Sequence, residues 1–174
     1  MNELILNREH YTRVLQEVVP AARRFLWIAT ADLKDLHVEA SRRRFVPVVN
    51  VLAELVGRGV EVRLIHAKEP GPRFRADFDA HPDLVDSEGF ERILCPRMHM
   101  KAIIVDGVTA YVGSANLTGA GIGSKADTRR NFEVGWLTDE PEKLAELMAF
   151  FDRFYLGDYC VKCGRRDVCP DPIC

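Results

Sequence analysis

The run Phe25-Leu26-Trp27-Ile28-Ala29-Thr30 constrains this chain more than any other stretch, because it is apolar almost throughout and has the length of a strand. A strand without polar alternation is buried on both faces, so it belongs inside a sheet that is covered on both sides. Behind it, Phe45, Val48, Val49, Leu52, Leu55 and Val56 follow helical spacing and stop at Gly57 and Gly59, after which Val60-Glu61-Val62-Arg63-Leu64-Ile65 reads as the next strand. Two strands joined through a helix run parallel, with the helix packed on the sheet. The expected fold class is α/β, a mixed, mostly parallel sheet flanked by helices.

Other elements follow from the same periodicities. Tyr11, Val14, Leu15, Val18, Val19 and Ala22 predict a helix from Asn7 to about Arg24, with Pro20 as a kink or early end. Glu69 to Gly89, broken by Pro70, Gly71, Pro72 and Pro82, reads as a loop with room for one short helix. Arg92 to Cys95 is a short strand, and Met100 to Val105 with Thr109 to Val112 form a hairpin closed at Asp106-Gly107. Phe132 to Leu137 is a last strand. Leu144, Leu147, Met148, Phe151 and Tyr155 mark a final helix, with Asp139 and Glu142 as its capping box. Trp27, Trp136 and Cys95 fall in strand patterns and are assigned to the core.

Length and charge narrow the function classes. At 174 residues the chain makes one domain and cannot hold a two-lobed enzyme, and 47% hydrophobic content excludes disorder. A net charge of -2 excludes a generally basic nucleic-acid binder, so an anion site must be local. The basic strings are Arg42-Arg43-Arg44, read as a solvated helix start, and Arg129-Arg130. There is no charged leader before an apolar run and no stretch near the ~18 apolar residues of a membrane span, which reads as a cytoplasmic chain without a transmembrane segment.

One segment carries polar residues that a core does not need: His99, Lys101 and Asp106, then Gly113-Ser114-Ala115-Asn116. On a strand, residues two apart share a face, so His99 and Lys101 point the same way and Met100 the other. The Asp106-Gly107 turn returns Ser114 and Asn116 to the neighbourhood of His99, where hydroxyl and amide donors beside an imidazole and an ammonium suit a phosphate. The string His99-x-Lys101-x4-Asp106-x6-Gly113-Ser114-x-Asn116 resembles the HKD signature of the phospholipase D superfamily, and residues 1–156 resemble one domain of it, an α/β/α sandwich. The resemblance implies that His99 attacks phosphorus to give a phosphohistidine without a catalytic metal. It also implies that Lys101 and Asn116 bind the non-bridging oxygens, with Ser114 assisting in the pocket. In the same family pattern Asp106 supports the geometry of the site, and Glu133 holds the imidazole in its correct tautomer.

That reaction uses two histidines, one attacking and one protonating the leaving oxygen, whereas this chain has one complete signature. A homodimer is therefore expected. Residues 157–174 form a separate tail in which Cys160, Cys163, Cys169 and Cys174 have the spacing of a metal site; structural zinc is expected, with a [4Fe-4S] cluster as the alternative. The leading reading is a nuclease-like phosphodiesterase acting on DNA or RNA. A phospholipase or phosphatidyltransferase is the alternative, and a non-enzymatic nucleic-acid-binding module the second.

Overall fold

The apolar run at 25–30 becomes the strand on which both layers of the fold are built. A computed structural model describes residues 2–41 and 43–173. In chain order its elements are β1 (Asn2–Leu6), β2 (Phe25–Thr30), β3 (Leu33–Lys34), β4 (His37–Ser41), β5 (Arg44–Pro47), α1 (Val48–Gly57), β6 (Glu61–His66), α2 (Pro72–Asp79) and α3 (Pro82–Val85). There follow β7 (Phe90–Leu94), β8 (Ala102–Val105), β9 (Thr109–Gly113), β10 (Leu117–Thr118), β11 (Val134–Thr138) and α4 (Pro141–Tyr155). Seven strands form the main sheet in the order β1-β11-β9-β8-β2-β6-β7.

The α/β class with flanking helices stands, but the sheet is not mostly parallel. Only β2–β6 and β6–β7 pair parallel, whereas β1–β11, β11–β9, β9–β8 and β8–β2 pair antiparallel. The physical reason lies in the connections: residues 95–101 turn the chain back after β7 so that β8 runs against β2, and the Asp106-Gly107 hairpin then lays β9 against β8. β1 had no strand signal, because only Ile5 of its five residues is fully buried.

Four helical expectations are corrected. His10–Val18 is π-helical, with the Val19 N–H bonded to the Val14 carbonyl five residues back, and a 3-10 turn at Val19–Ala21 ends it at Pro20. The second helix begins at Val48, not Phe45. The arginine string lies in the β4–β5 hairpin: Ser41 pairs with Arg44, Arg43 has φ of 64°, and Arg42 lies outside the described residues. The N-cap of α4 is Glu140, which makes no side-chain capping bond, so the Asp139–Glu142 box is not formed.

Two apolar clusters hold the layers. On one face the π-helical segment, α1, α2 and α3 pack through Tyr11, Leu15, Leu52, Phe74 and Leu84 against Leu26, Ile28, Leu64 and Ile103. On the other, α4 places Leu144 and Phe151 against Trp27, Ile65, Ile104 and Ala110, and Phe151 stacks on Trp27 at 5.1 Å. α4 does not cover the whole of that face. Leu4, Leu6, Val112, Val134 and Trp136 lie beyond it at 42–54% exposure. Cross-strand register makes them one stripe, since Leu4 is opposite Trp136, Leu6 opposite Val134, and Trp136 opposite Val112. Trp136 is thus a surface residue, unlike Trp27. Among the described residues no helix is long and apolar enough to cross a membrane.

Asp106 fastens the hairpin to the start of β2. Its carboxylate accepts from the backbone N–H groups of Arg23 (2.9 Å), Arg24 (2.8 Å) and Phe25 (2.9 Å). Burial raises its pKa, but these three bonds and the Arg24 charge outweigh that effect and leave it below the ordinary carboxylate value. Because the folded state titrates below the unfolded one, the stabilisation is present above the unfolded pKa, about 3.9, and is lost as pH falls through the folded value. Asp106→Asn keeps a residue that tolerates φ of 55° but loses the charge. Urea unfolding at pH 7 is expected to show a loss of about 2–3 kcal/mol, and the gap to wild type should shrink on acidification.

Candidate active site

In a sheet with parallel strands, ligands bind outside the carboxyl ends of those strands, and here that edge gathers loops from the whole chain. A cleft of about 520 Å³ opens there. Asp32 lines it after β2, Lys68 after β6, Arg97 and His99 between β7 and β8, Asn116 after β9, and Arg165 from the tail.

His99 and Lys101 precede β8 and share a side, while Met100 packs into the α4 cluster. Lys101 is buried, with Nζ at 3.2 and 3.3 Å from the two ring nitrogens of His99 and donating to the His99 carbonyl at 2.8 Å. Burial lowers the pKa of its ammonium, opposed by the Glu133 carboxylate. A cation held this close to the imidazole can stabilise negative charge on a group bound beside that ring.

Asn116 is oriented by its acceptor atom. The Ala31 N–H can only donate, so the atom 3.1 Å from it is Oδ1, which also accepts from Thr30 Oγ1 at 3.3 Å. The Nδ2 hydrogens remain as donors for a ligand. Thr30, fully buried, shares its one hydroxyl hydrogen between Asn116 Oδ1 and the Asp32 carbonyl (3.1 Å) and accepts from the Leu117 N–H at 3.1 Å, and so ties the end of β2 to the loop that carries Asn116. Sequence reasoning missed Thr30; its one signal was a hydroxyl closing an apolar run.

Ser114 donates to Glu133 Oε2, and its Oγ accepts from the Val134 N–H at 3.1 Å. Asn131 Nδ2 donates to the other carboxylate oxygen at 3.1 Å. Glu133 was expected on the imidazole of His99; the hydrogen bonds found for it go to Ser114 and Asn131, and its charge acts on Lys101. Gly113 is required by close approach, since a Cβ there would meet the Val134 carbonyl at 2.7 Å and collide with the Tyr111 ring.

Residues 15–155 match the family described as cardiolipin synthase, PLD-like domain. The chain belongs to this family. Its fold is similar to NucT from Helicobacter pylori (TM-score 0.64, 16% identity, 88% of this chain and 94% of that one). It is also similar to Nuc from Salmonella typhimurium, a phospholipase D family member (TM-score 0.62, 22% identity, 89% and 94%). A third likeness is to TrmBL2, an archaeal chromatin protein (TM-score 0.58, 15% identity, 88% and 51%). No curated protein matches the chain.

Within this PLD-like domain the structure brings together His99, Lys101 and Asn116, and sets Ser114 with Glu133 beside them. Asp106 is elsewhere: five residues of extended chain, about 17 Å, separate it from Lys101. It anchors the hairpin and has no contact with the cleft. A second His-x-Lys string, His66-Ala67-Lys68, lacks the rest of the signature. His66 is fully buried, with Nδ1 held by the Lys68 carbonyl at 2.7 Å, while Lys68 reaches the cleft.

The tail docks on the end of β7. Asp171 accepts from the Leu94 N–H at 2.8 Å, Arg165 donates to the Pro96 carbonyl at 3.2 Å, and Arg97 donates to Cys163 Sγ at 3.4 Å. Cys95 is half-buried, not a closed core residue; it lines one small cavity of about 20 Å³ with Cys160, Cys163 and Cys169. Among the described residues no group of three or more His, Cys, Asp or Glu side chains is arranged to hold a metal, and Cys174, the fourth expected ligand, lies outside them.

Proposed function

We propose that this PLD-like domain is a phosphodiesterase that cleaves nucleic acid through a phosphohistidine at His99. The observation that carries the reading is the convergence of His99, Lys101 and an oriented Asn116 at one cleft. A His99 ring nitrogen forms a bond to phosphorus as the bond to the leaving oxygen breaks, and Lys101 with Asn116 Nδ2 stabilises the charge on the non-bridging oxygens. The leaving oxygen takes its proton from His99 of a second copy of the chain. Water then attacks phosphorus, the N–P bond breaks, and the water proton passes to that second imidazole.

The second copy belongs on the stripe of Leu4, Leu6, Val112, Val134 and Trp136. The Ser114 N–H donates to the Val134 carbonyl and the Val134 N–H donates to Ser114 Oγ, so the stripe runs up to the catalytic edge, and a patch of this kind marks an association surface. Nucleic acid is favoured over lipid by the three cations lining the cleft, Lys68, Arg97 and Arg165. TrmBL2, a chromatin protein that binds DNA, shares this fold over about half of its length, which supports that choice.

For the tail we propose one structural metal ion, zinc before a [4Fe-4S] cluster, held by thiolates of Cys160, Cys163, Cys169 and Cys174. The cavity at Cys160, Cys163 and Cys169 has room for about one water-sized body, too little for a cubane.

The test is an assay of the purified protein on plasmid DNA, RNA and phosphatidylcholine vesicles, with and without chelator. Cleavage of nucleic acid that resists chelator is expected, as is about one zinc per chain in the same preparation. Cleavage confined to lipid overturns the substrate, and a metal content far below one per chain overturns the tail site.

A further inference from the structure

The tail lies outside residues 15–155, which carry the family match, yet it reaches the catalytic cleft. Arg165 lines that cleft with His99 and Asn116, and its guanidinium is steadied by the Pro96 carbonyl at 3.2 Å. Arg97, two residues before His99, is held from the other side by Cys163 at 3.4 Å. The third cation, Lys68, follows β6. Among the described residues Asp32 is the one carboxylate on these walls, so they give the cleft beside the histidine an excess of two positive charges in a chain whose net charge is -2.

Lys101 and Asn116 already provide for the phosphate under attack, so the outer three cations are surplus to a substrate with a single phosphate. A polynucleotide strand brings a neighbouring phosphate at every step, and arginine and lysine on its path neutralise these without reading sequence. We propose that Lys68, Arg97 and Arg165 form a second phosphate subsite that takes the phosphate adjacent to the scissile one, and that the tail serves to deliver Arg165 to it. This rests on the phosphodiesterase reading of the cleft and adds that the preferred substrate is a strand rather than an isolated diester.

Binding is measured first, because it does not depend on turnover. Fluorescence anisotropy of a labelled single-stranded oligonucleotide is followed across a salt series for wild type, Arg165→Ala, Arg165→Lys and Arg166→Ala. Arg166 is in the same tail but does not line the cleft, so its loss controls for charge and for tail integrity. Arg165→Ala is expected to weaken binding about tenfold and to reduce the slope of log affinity against log salt by about one. Arg165→Lys should recover most of both, and Arg166→Ala should follow wild type. In turnover, the preference in kcat/KM for the oligonucleotide over bis(p-nitrophenyl) phosphate should fall about tenfold in Arg165→Ala, through KM.

An unchanged affinity and salt slope in Arg165→Ala overturns the subsite, as does an equal loss in Arg166→Ala. Binding of phosphatidylglycerol vesicles in place of the oligonucleotide, lost in Arg165→Ala, also overturns it. If wild type binds the oligonucleotide with the expected Arg165 dependence but cleaves neither substrate, the phosphodiesterase reading falls and the subsite stands.

Discussion

His99→Ala protein loses nucleic-acid cleavage by roughly four orders of magnitude or more, the scale seen when the nucleophile of a covalent mechanism is removed. No neighbour can replace it. Lys101 is buried and keeps its Nζ bond to the main-chain carbonyl of position 99 in the variant, and His66 is buried with Nδ1 engaged by the Lys68 carbonyl. The side chain of His99 itself is exposed, so urea unfolding of the variant should match wild type within about 0.5 kcal/mol. Subunit mixing sharpens the result. If each site needs two copies of His99, a large excess of His99→Ala chains silences wild-type protein by sequestering it in hybrid dimers. Activity of the variant within tenfold of wild type, at equal folding, rejects His99 as nucleophile.

Trp136→Glu is the second large effect. Trp136 occupies the middle of the exposed stripe, between Leu4 and Val112, and a central tryptophan in an association surface carries about 2–4 kcal/mol. A carboxylate there must also be desolvated, so dimerisation should weaken at least a hundredfold, and sedimentation velocity at micromolar protein should shift from dimer to monomer. Specific activity should then rise with protein concentration, in step with the dimer fraction. A Trp136→Glu protein that stays dimeric removes the stripe as the dimer face, and a monomer with wild-type activity removes the shared site. The fold itself should survive, because a side chain 54% exposed contributes little to the core of a single copy.

Much of the site was legible because strand alternation and one tight turn determine it: the hairpin at Asp106-Gly107 alone places Gly113 to Asn116 near His99. Periodicity, however, reports which face of a strand is apolar and not what covers it. Trp27 and Trp136 have similar sequence surroundings, yet Phe151 of α4 reaches only the first. The arginine string looked like a helix start because Phe45 continued the spacing of Val48 and Val49, whereas Phe45 is 54% exposed in a hairpin. The tail lacks any period, so nothing in the order of its residues announced that Arg165 joins the cleft or that Cys95 faces Cys160, Cys163 and Cys169.

One edge of the sheet joins its two most distant strands: β1 lies against β11, and the Thr138 hydroxyl donates to the side chain of Asn2 from 136 residues away. Asp106 likewise holds the chain at Arg23, 83 residues earlier. Contacts of such span are entropically late, and a chain dominated by them folds slowly compared with one built from local pairs. On a ribosome the catalytic edge cannot form when His99 emerges. It must wait for Glu133 and the strand behind it, while β1 remains without its partner β11. The molecule is therefore most exposed to misassociation during its own synthesis, in the interval between the first strand and the last.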